Sequence, residues 1–73
     1  MPPMTFGQWL QDQQHRDDPI GDVARDVARD RQRPTLPSTR RAWRRYLQSR
    51  GASEAARQAL EQAWDAYEQR DQA

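Results

Sequence analysis

Apolar residues recur at every third or fourth position in four separate segments of this chain, which is the spacing of one face of an α-helix. No segment shows the strict alternation of apolar and polar residues that is typical of a half-buried strand. We therefore predict an all-α fold, a compact four-helix bundle. The predicted helices cover residues 5–15, 19–30, 38–50 and 53–70.

Local signals mark where the first two helices begin. Thr5 is followed three positions later by Gln8, which is the pattern of a capping box. Asp18 immediately precedes Pro19, which suits an aspartate N-cap followed by proline at the first helical position, where no amide hydrogen is needed. Both helix starts are therefore predicted from short-range chemistry.

The second half of the chain contains a loop and two further helix starts. Residues 31–37 include two prolines and little periodicity, which predicts a loop with Leu36 as its anchor into the core. Ser38 and Ser53 are the predicted N-caps of the third and fourth helices. Gly51 is the predicted left-handed residue that ends the third helix.

The apolar faces of the four helices together predict the core. Only 34% of the residues are apolar, so the three tryptophans supply much of the area that folding buries. Replacing any one of them with alanine should cost about 3 to 5 kcal/mol. The predicted core residues are Phe6, Trp9, Leu10, Ile20, Val23, Val27, Trp43, Tyr46, Leu47, Leu60, Trp64 and Tyr67.

Aromatic and acidic residues, together with a few aliphatic residues, glycine and proline, occur along the chain in a characteristic combination. Its members are Phe6, Trp9, Leu10, Asp18, Ile20, Gly21, Asp22, Ala24, Pro34, Tyr46, Leu47, Ala63, Trp64, Asp65, Tyr67 and Glu68. The combination resembles the YozE-like family of small bacterial proteins, and the run at 63–68 is its most specific part. The resemblance implies a sterile alpha motif-like (SAM-like) fold, a helical module used for protein or nucleic-acid contacts. It implies no catalytic or binding residues, and the third helix here is richer in arginine than is typical of the family.

The length and composition of the chain limit its organisation. A chain of 73 residues has room for one small domain, expected at 5–70, with a flexible N-terminal arm at 1–4 and a frayed C-terminus at 71–73. The absence of cysteine excludes a disulfide framework and a thiolate zinc site. No window approaches the roughly 20 apolar residues of a membrane span, and the chain starts without an apolar signal core. We therefore expect a cytoplasmic protein with no membrane partner.

Residues suited to catalysis or metal binding are few. His15 is the only histidine, and no cysteine, second histidine or nucleophilic serine accompanies it. The aspartates at positions 17, 18, 22 and 26 lack the glycine and the terminal glutamate of a calcium loop. We therefore predict that the chain is not an enzyme and takes no cofactor, metal ion or small-molecule substrate.

Charge is distributed unevenly along the chain. Seven of the 12 basic residues, all arginine, lie in residues 31–50, which contain no acid. The flanking segments 1–30 and 51–73 each carry a net charge of −3. Such a chain either pairs its charges internally or presents a basic surface to an acidic partner. The candidate basic face consists of Arg31, Arg33, Arg40, Arg41, Arg44 and Arg45.

Two functions are consistent with this charge pattern. The preferred one is a small binding module that contacts a protein through helix surfaces, the partner being an unidentified protein or a second copy. The alternative is nucleic-acid binding through the arginine-rich third helix and the preceding loop. In a contact between copies, the basic face would meet acidic residues on or near the last helix: Glu54, Glu61, Asp65, Glu68 and Asp71.

Overall fold

Four α-helices follow one another in the computed structural model, which describes residues 4–70. They are α1 (Phe6–Gln11), α2 (Pro19–Arg29), α3 (Arg40–Ser49) and α4 (Glu54–Gln69). No strand occurs within the described range, and the predicted all-α class is confirmed. Residues 1–3 of the predicted arm and the predicted frayed end at 71–73 lie outside the described residues.

The predicted caps at three helix starts are present. The Gln8 amide donates to Thr5 Oγ1 at 3.2 Å, and the Thr5 amide donates to Gln8 Oε1 at 3.0 Å, which completes the capping box. The side chains of Asp18 and Ser53 each accept a hydrogen bond from the amide three residues further on. Gly51 follows α3 with a φ of 69°, as predicted for the residue that ends this helix.

The first helix is shorter than predicted and ends at Gln11 rather than at residue 15. Its last carbonyls accept hydrogen bonds from side chains and from backbone amides three residues further on, instead of from a further turn of α-helix. The side-chain amides of Gln13 and Gln14 donate to the carbonyls of Trp9 and Gln11 at 3.1 and 3.0 Å. These local bonds compete with continued helix, and the chain turns early.

The third helix begins at Arg40, two residues later than predicted, and its N-cap is Thr39 rather than Ser38. Thr39 Oγ1 accepts a hydrogen bond from the Ala42 amide at 3.1 Å. The Ser38 hydroxyl is used in the loop, where it donates to the Leu36 carbonyl at 3.0 Å. Thr39 rather than Ser38 caps the helix, because the Thr39 side chain accepts a hydrogen bond from the amide three residues further on.

The core is built on the pair α2 and α4, which make the most extensive helix contact. The helix α1 packs on both of them, and α3 packs on α4. An aromatic cluster joins the elements: the ring of Phe6 stacks on Trp64 at 4.2 Å between centroids and meets Trp43 edge-on at 5.1 Å. The aromatic side chains of α1, α3 and α4 therefore form one packed unit.

Three of the predicted core residues lie at the edge of the core. Trp9, Tyr46 and Tyr67 are partly buried and pack against it. The two tyrosines stand at the edge because their hydroxyls bond polar groups there, Tyr67 donating to the Met4 carbonyl at 2.6 Å. The predicted residues that are buried are Phe6, Leu10, Ile20, Val23, Val27, Trp43, Leu47, Leu60 and Trp64; Ala24, Ala59 and Ala63 are buried as well.

The expectation that Leu36 anchors the loop in the core is wrong. Its side chain is 78% exposed, whereas Trp43 beneath the loop is only 2% exposed. The Pro34 carbonyl and the Trp43 ring both lie close to Gly7, so the loop approaches α1 through its backbone at Pro34. None of the helices within residues 4–70 is both long and apolar enough to cross a membrane.

Candidate interaction surfaces

Arg40 links α3 to α4 instead of facing solvent. Its guanidinium lies 2.9 Å from Glu61 Oε1 and 3.0 Å from Asp65 Oδ1, with Glu68 Oε1 further away at 3.5 Å. It also donates to the Glu61 backbone carbonyl at 3.1 Å. The Arg40 side chain is 27% exposed, so most of its donors are committed to the neighbouring helix.

Arg44 completes the same network one turn further along α3. Its Nε donates to Glu61 Oε2 at 2.6 Å and its Nη2 donates to Glu61 Oε1 at 2.8 Å, which is a bidentate pair. The hydrogen bonds from Arg44 and then from Arg40 lower the pKa of Glu61 from its ordinary value of 4.5 to about 2. Glu61 is therefore ionised throughout the neutral range.

The lowered pKa of Glu61 predicts a specific dependence of stability on pH. A carboxyl whose pKa falls on folding stabilises the native state above its unfolded pKa, and that contribution is lost as the pH drops through the folded pKa. We expect Glu61→Gln to lower the melting temperature near neutral pH, with the difference from wild type closing between pH 4.5 and pH 2. Thermal unfolding followed by circular dichroism at several pH values measures this.

A matched change on the same helix serves as the control for Glu61. Glu68 contacts Arg40 only at 3.5 Å, so Glu68→Gln should lower the melting temperature near neutral pH by less than Glu61→Gln. A Glu61→Gln protein that stays less stable than wild type by a constant margin down to pH 2 would contradict the role given to this carboxylate.

The basic face predicted from the sequence is therefore divided. Arg40 and Arg44 are engaged with α4, because α4 presents carboxylates at spacings of four and three residues beside them. Arg41 and Arg45 are exposed on the outer side of α3 and form no ion pair within residues 4–70. In the preceding loop Arg31 is exposed, whereas Arg33 is half-buried and donates to the Asp30 carbonyl at 2.9 Å.

A groove that the sequence did not reveal lies between α2, the C-terminal end of α3 and the start of α4. It is open to solvent and has a volume of about 460 Å³. Its charged and polar rim contains Asp26, Arg29, Asp30, Arg50 and Ser53, with Tyr46 in the wall. The remaining lining is apolar and comes from Val23, Val27, Leu47, Ala52 and Ala56.

One wall of this groove is fixed by a compact polar cluster. Tyr46 Oη donates to Asp30 Oδ2 at 2.5 Å, and Arg50 Nε lies 2.8 Å from the same oxygen. The other carboxylate oxygen accepts from the Gln32 amide at 2.9 Å. These bonds, that from Tyr46 first, hold the pKa of Asp30 below its ordinary range. Burial and the neighbouring carboxylate raise the pKa of Tyr46, so both groups keep one protonation state near neutrality.

The chain matches the family model described as YozE SAM-like fold over residues 5–69. It belongs to the YozE SAM-like family. The resemblance predicted from the sequence is thereby confirmed, and so is the SAM-like fold. No curated protein and no solved structure gives a match.

In this YozE SAM-like fold, the candidate catalytic and metal-binding residues of the described range do not come together in one site. His15 is exposed in the turn that follows α1. In the stretch 4–70, no three histidine, cysteine, aspartate or glutamate side chains come together in an arrangement suited to a metal ion. The groove was missed because its lining comes from three separate elements, and no single helix pattern indicates that their apolar edges meet. The ion pair between Arg40 and Glu61 could more easily have been predicted from the sequence. The third helix carries arginines, and the fourth carries carboxylates, at matching helical spacings.

Proposed function

We propose that this YozE-like chain is a non-enzymatic binding module whose partner is a protein, and that the groove is its contact surface. The observation that carries the proposal is the groove itself: five apolar side chains, from α2, α3, α4 and the turn between α3 and α4, contribute to its lining, and a fixed polar cluster forms one wall. An apolar centre with a polar rim is the usual organisation of a protein interface. We place the module in the cytoplasm.

The chemistry of the groove wall supports binding rather than catalysis. A general acid or base works best with a pKa near the operating pH. In the cluster formed by Asp30, Tyr46 and Arg50, the pKa of the carboxyl is lowered and the pKa of the phenol is raised, each away from neutrality. These side chains are suited to holding the wall in place, and we assign them no proton transfer.

Nucleic-acid binding is retained as the alternative because Arg41 and Arg45 project from α3 without an ion pair in the described part of the chain. With Arg31 they provide three cations, since Arg40 and Arg44 are engaged with α4. Three phosphate contacts predict that log K falls with log salt at a slope of about −3 on duplex DNA. Oligonucleotide binding with that slope, abolished by Arg41→Ala with Arg45→Ala, would favour the alternative over the groove.

The protein-binding proposal is tested by adding the same charge inside and beside the groove. Ala56 lines the groove, whereas its neighbour Ala55 is exposed and does not. Arginine has nearly the helix propensity of alanine, so both substitutions favour continued helix in α4. Because Ala56 also packs against the core, the melting temperature of Ala56→Arg is compared with that of wild type before capture. Wild type, Ala55→Arg and Ala56→Arg are immobilised, checked by circular dichroism, and exposed to nuclease-treated extract of the cells that make the protein.

We expect a protein that is retained by wild type and by Ala55→Arg to be lost from Ala56→Arg, because the new guanidinium occupies the groove. Equal retention on all three proteins would contradict the assignment of the groove as the contact surface. Retention that depends on Arg41 and Arg45 instead would move the contact to the outer side of α3.

A further inference from the structure

The helix α2, which forms one side of the groove, contains the tetrapeptide Asp-Val-Ala-Arg twice, at residues 22–25 and 26–29. In the first copy, Asp22 and Arg25 form an ion pair. Arg25 also donates to two backbone carbonyls of the segment between α1 and α2, at 2.7 and 3.1 Å. The charges of the first copy are therefore used inside the molecule, where they hold that segment against α2.

The second copy places the same two charges on the groove rim, where neither has a partner. Asp26 and Arg29 both line the groove and are exposed. Within residues 4–70, neither side chain forms an ion pair or a hydrogen bond. The other two charges of the rim, Asp30 and Arg50, are already paired with each other at 2.8 Å. The rim therefore offers one unpaired carboxylate and one unpaired guanidinium, three positions apart on the same helix.

We propose that the groove binds an amphipathic helix of another protein, one that carries both a basic and an acidic residue beside its apolar face. The inference rests on the proposed function, in which the groove is the protein-binding surface, and it states the chemistry of the partner. The basic residue would face Asp26, and the acidic residue would face Arg29. The apolar side chains of the partner would lie on Val23, Val27 and Leu47.

The two unpaired charges of the rim favour a partner that carries both signs. An acidic peptide or a polyanion would be attracted by Arg29 and repelled by Asp26 one helical turn away, and a basic peptide would meet the reverse arrangement. Residues one turn apart on a helix are about 5 to 6 Å apart between Cβ atoms. A second helix can therefore match both rim charges with two opposite charges that are also one turn apart.

The walls of the groove favour a helix over an extended segment as the occupant. They consist of α2, the end of α3 and the start of α4, and the described part of the chain contains no strand. An extended peptide would find no sheet edge to which its backbone could bond. A helix satisfies its own backbone groups and presents apolar side chains three and four residues apart along one face.

The test uses ¹⁵N-labelled full-length protein and three synthetic peptides at an ionic strength of about 0.1 M. All three peptides carry leucines along one helix face, and the positions beside that face are lysine alone, glutamate alone, or both. We expect the peptide with both charges to shift the amides of groove residues such as Val27 and Ala56. The substitution Ala56→Arg should remove these shifts, because its guanidinium occupies the groove.

Exchanging each rim charge should change which peptide binds more tightly. Asp26→Arg leaves two unpaired cations on the rim, so it should strengthen binding of the glutamate peptide and weaken binding of the lysine peptide. Arg29→Glu should do the reverse, and both variants should bind the peptide with both charges more weakly than wild type does. We expect changes of about two- to fivefold in the dissociation constants. Each peptide is compared with itself across the proteins, so differences in helicity between peptides cancel.

A charge exchange outside the groove serves as the control. Asp12 is exposed after α1 and does not line the groove, so Asp12→Arg makes the same change in net charge as Asp26→Arg at a different place. It should change the three dissociation constants by less than Asp26→Arg does. Equal effects of the two substitutions would show that net charge, and not the rim, determines the preference, and would overturn the proposal.

Two further results would overturn the inference without deciding the proposed function. In the first, Ala56→Arg abolishes peptide binding, but the dissociation constants do not respond to Asp26→Arg or Arg29→Glu. In the second, none of the three peptides shifts the groove amides. In both cases the groove as a contact surface is still tested by capture on Ala55→Arg and Ala56→Arg, which separates the two failures.

Discussion

Replacing Trp43 with alanine should abolish cooperative unfolding or lower the melting temperature more than any other single tryptophan substitution. Trp43 is 2% exposed, and its ring meets Phe6 at 5.1 Å and Tyr46 at 5.6 Å between centroids. Truncating a buried tryptophan costs about 3 to 5 kcal/mol. The free energy of unfolding of a small domain can be as low as about 5 kcal/mol, so this loss is comparable with the total stability of the fold. Urea and thermal unfolding followed by far-ultraviolet circular dichroism measure it.

Trp9 provides the comparison for Trp43. It is only partly buried at the edge of the core, so Trp9→Ala should be less destabilising and should retain a cooperative transition. The structure thus ranks the tryptophans that the sequence treated as equivalent. A Trp43→Ala protein with the melting temperature of wild type would show that α3 does not pack on the aromatic cluster as described.

Replacing Gly21 with alanine should also destabilise the fold strongly, although alanine in a helix normally stabilises by about 1 kcal/mol relative to glycine. A Cβ at Gly21 would stand 2.1 Å from the Arg16 carbonyl oxygen and 2.8 Å from its carbonyl carbon. These are backbone atoms that cannot rotate away. The same carbonyl accepts a hydrogen bond from Arg25 at 3.1 Å, so moving the segment also disturbs that bond. Overpacking of this kind costs about 1 to 3 kcal/mol.

Gly7 offers the matched substitution for Gly21. A Cβ at Gly7 would lie 3.5 Å from the Trp43 ring, which is an ordinary contact distance. Gly7→Ala should therefore leave stability unchanged or raise it by up to about 1 kcal/mol. Chemical denaturation of the two variants should give free-energy changes of opposite sign or very different size. A Gly21→Ala protein as stable as Gly7→Ala would contradict the close approach of Arg16 to α2.

The helices could be predicted from the sequence because their signals are local. The N-cap hydrogen bonds of α1, α2 and α4 each join two residues that are three positions apart in the sequence. The residues that make them can therefore be identified from a short stretch of sequence. The predictions that were wrong concern the choice between two neighbouring residues as a helix cap, and contacts between parts of the chain that are distant in sequence. The sequence alone does not distinguish Ser38 from Thr39 as the cap of α3, nor does it reveal that Leu36 is left exposed.

The candidate site was less predictable because it depends on how helices meet. The sequence analysis grouped Arg40 and Arg44 in the candidate basic face, but the packing of α3 on α4 brings them to Glu61. The groove requires the edges of α2, α3 and the start of α4 to be adjacent, which is tertiary information. Residues such as Asp30 and Arg50, separated by most of the loop and all of α3, gave no short-range signal of their contact.

We propose that the molecule makes its contacts through the groove rather than through the outer side of α3. The most direct measurement is to add either nuclease-treated extract of the cells that make the protein or a duplex oligonucleotide to ¹⁵N-labelled protein and to follow the amide chemical shifts. We expect the extract to shift the amides of groove residues such as Val27 and Ala56, and the oligonucleotide to shift none. Shifts at Arg41 and Arg45 on adding the oligonucleotide, with the groove amides unchanged on adding the extract, would contradict the groove as the contact surface.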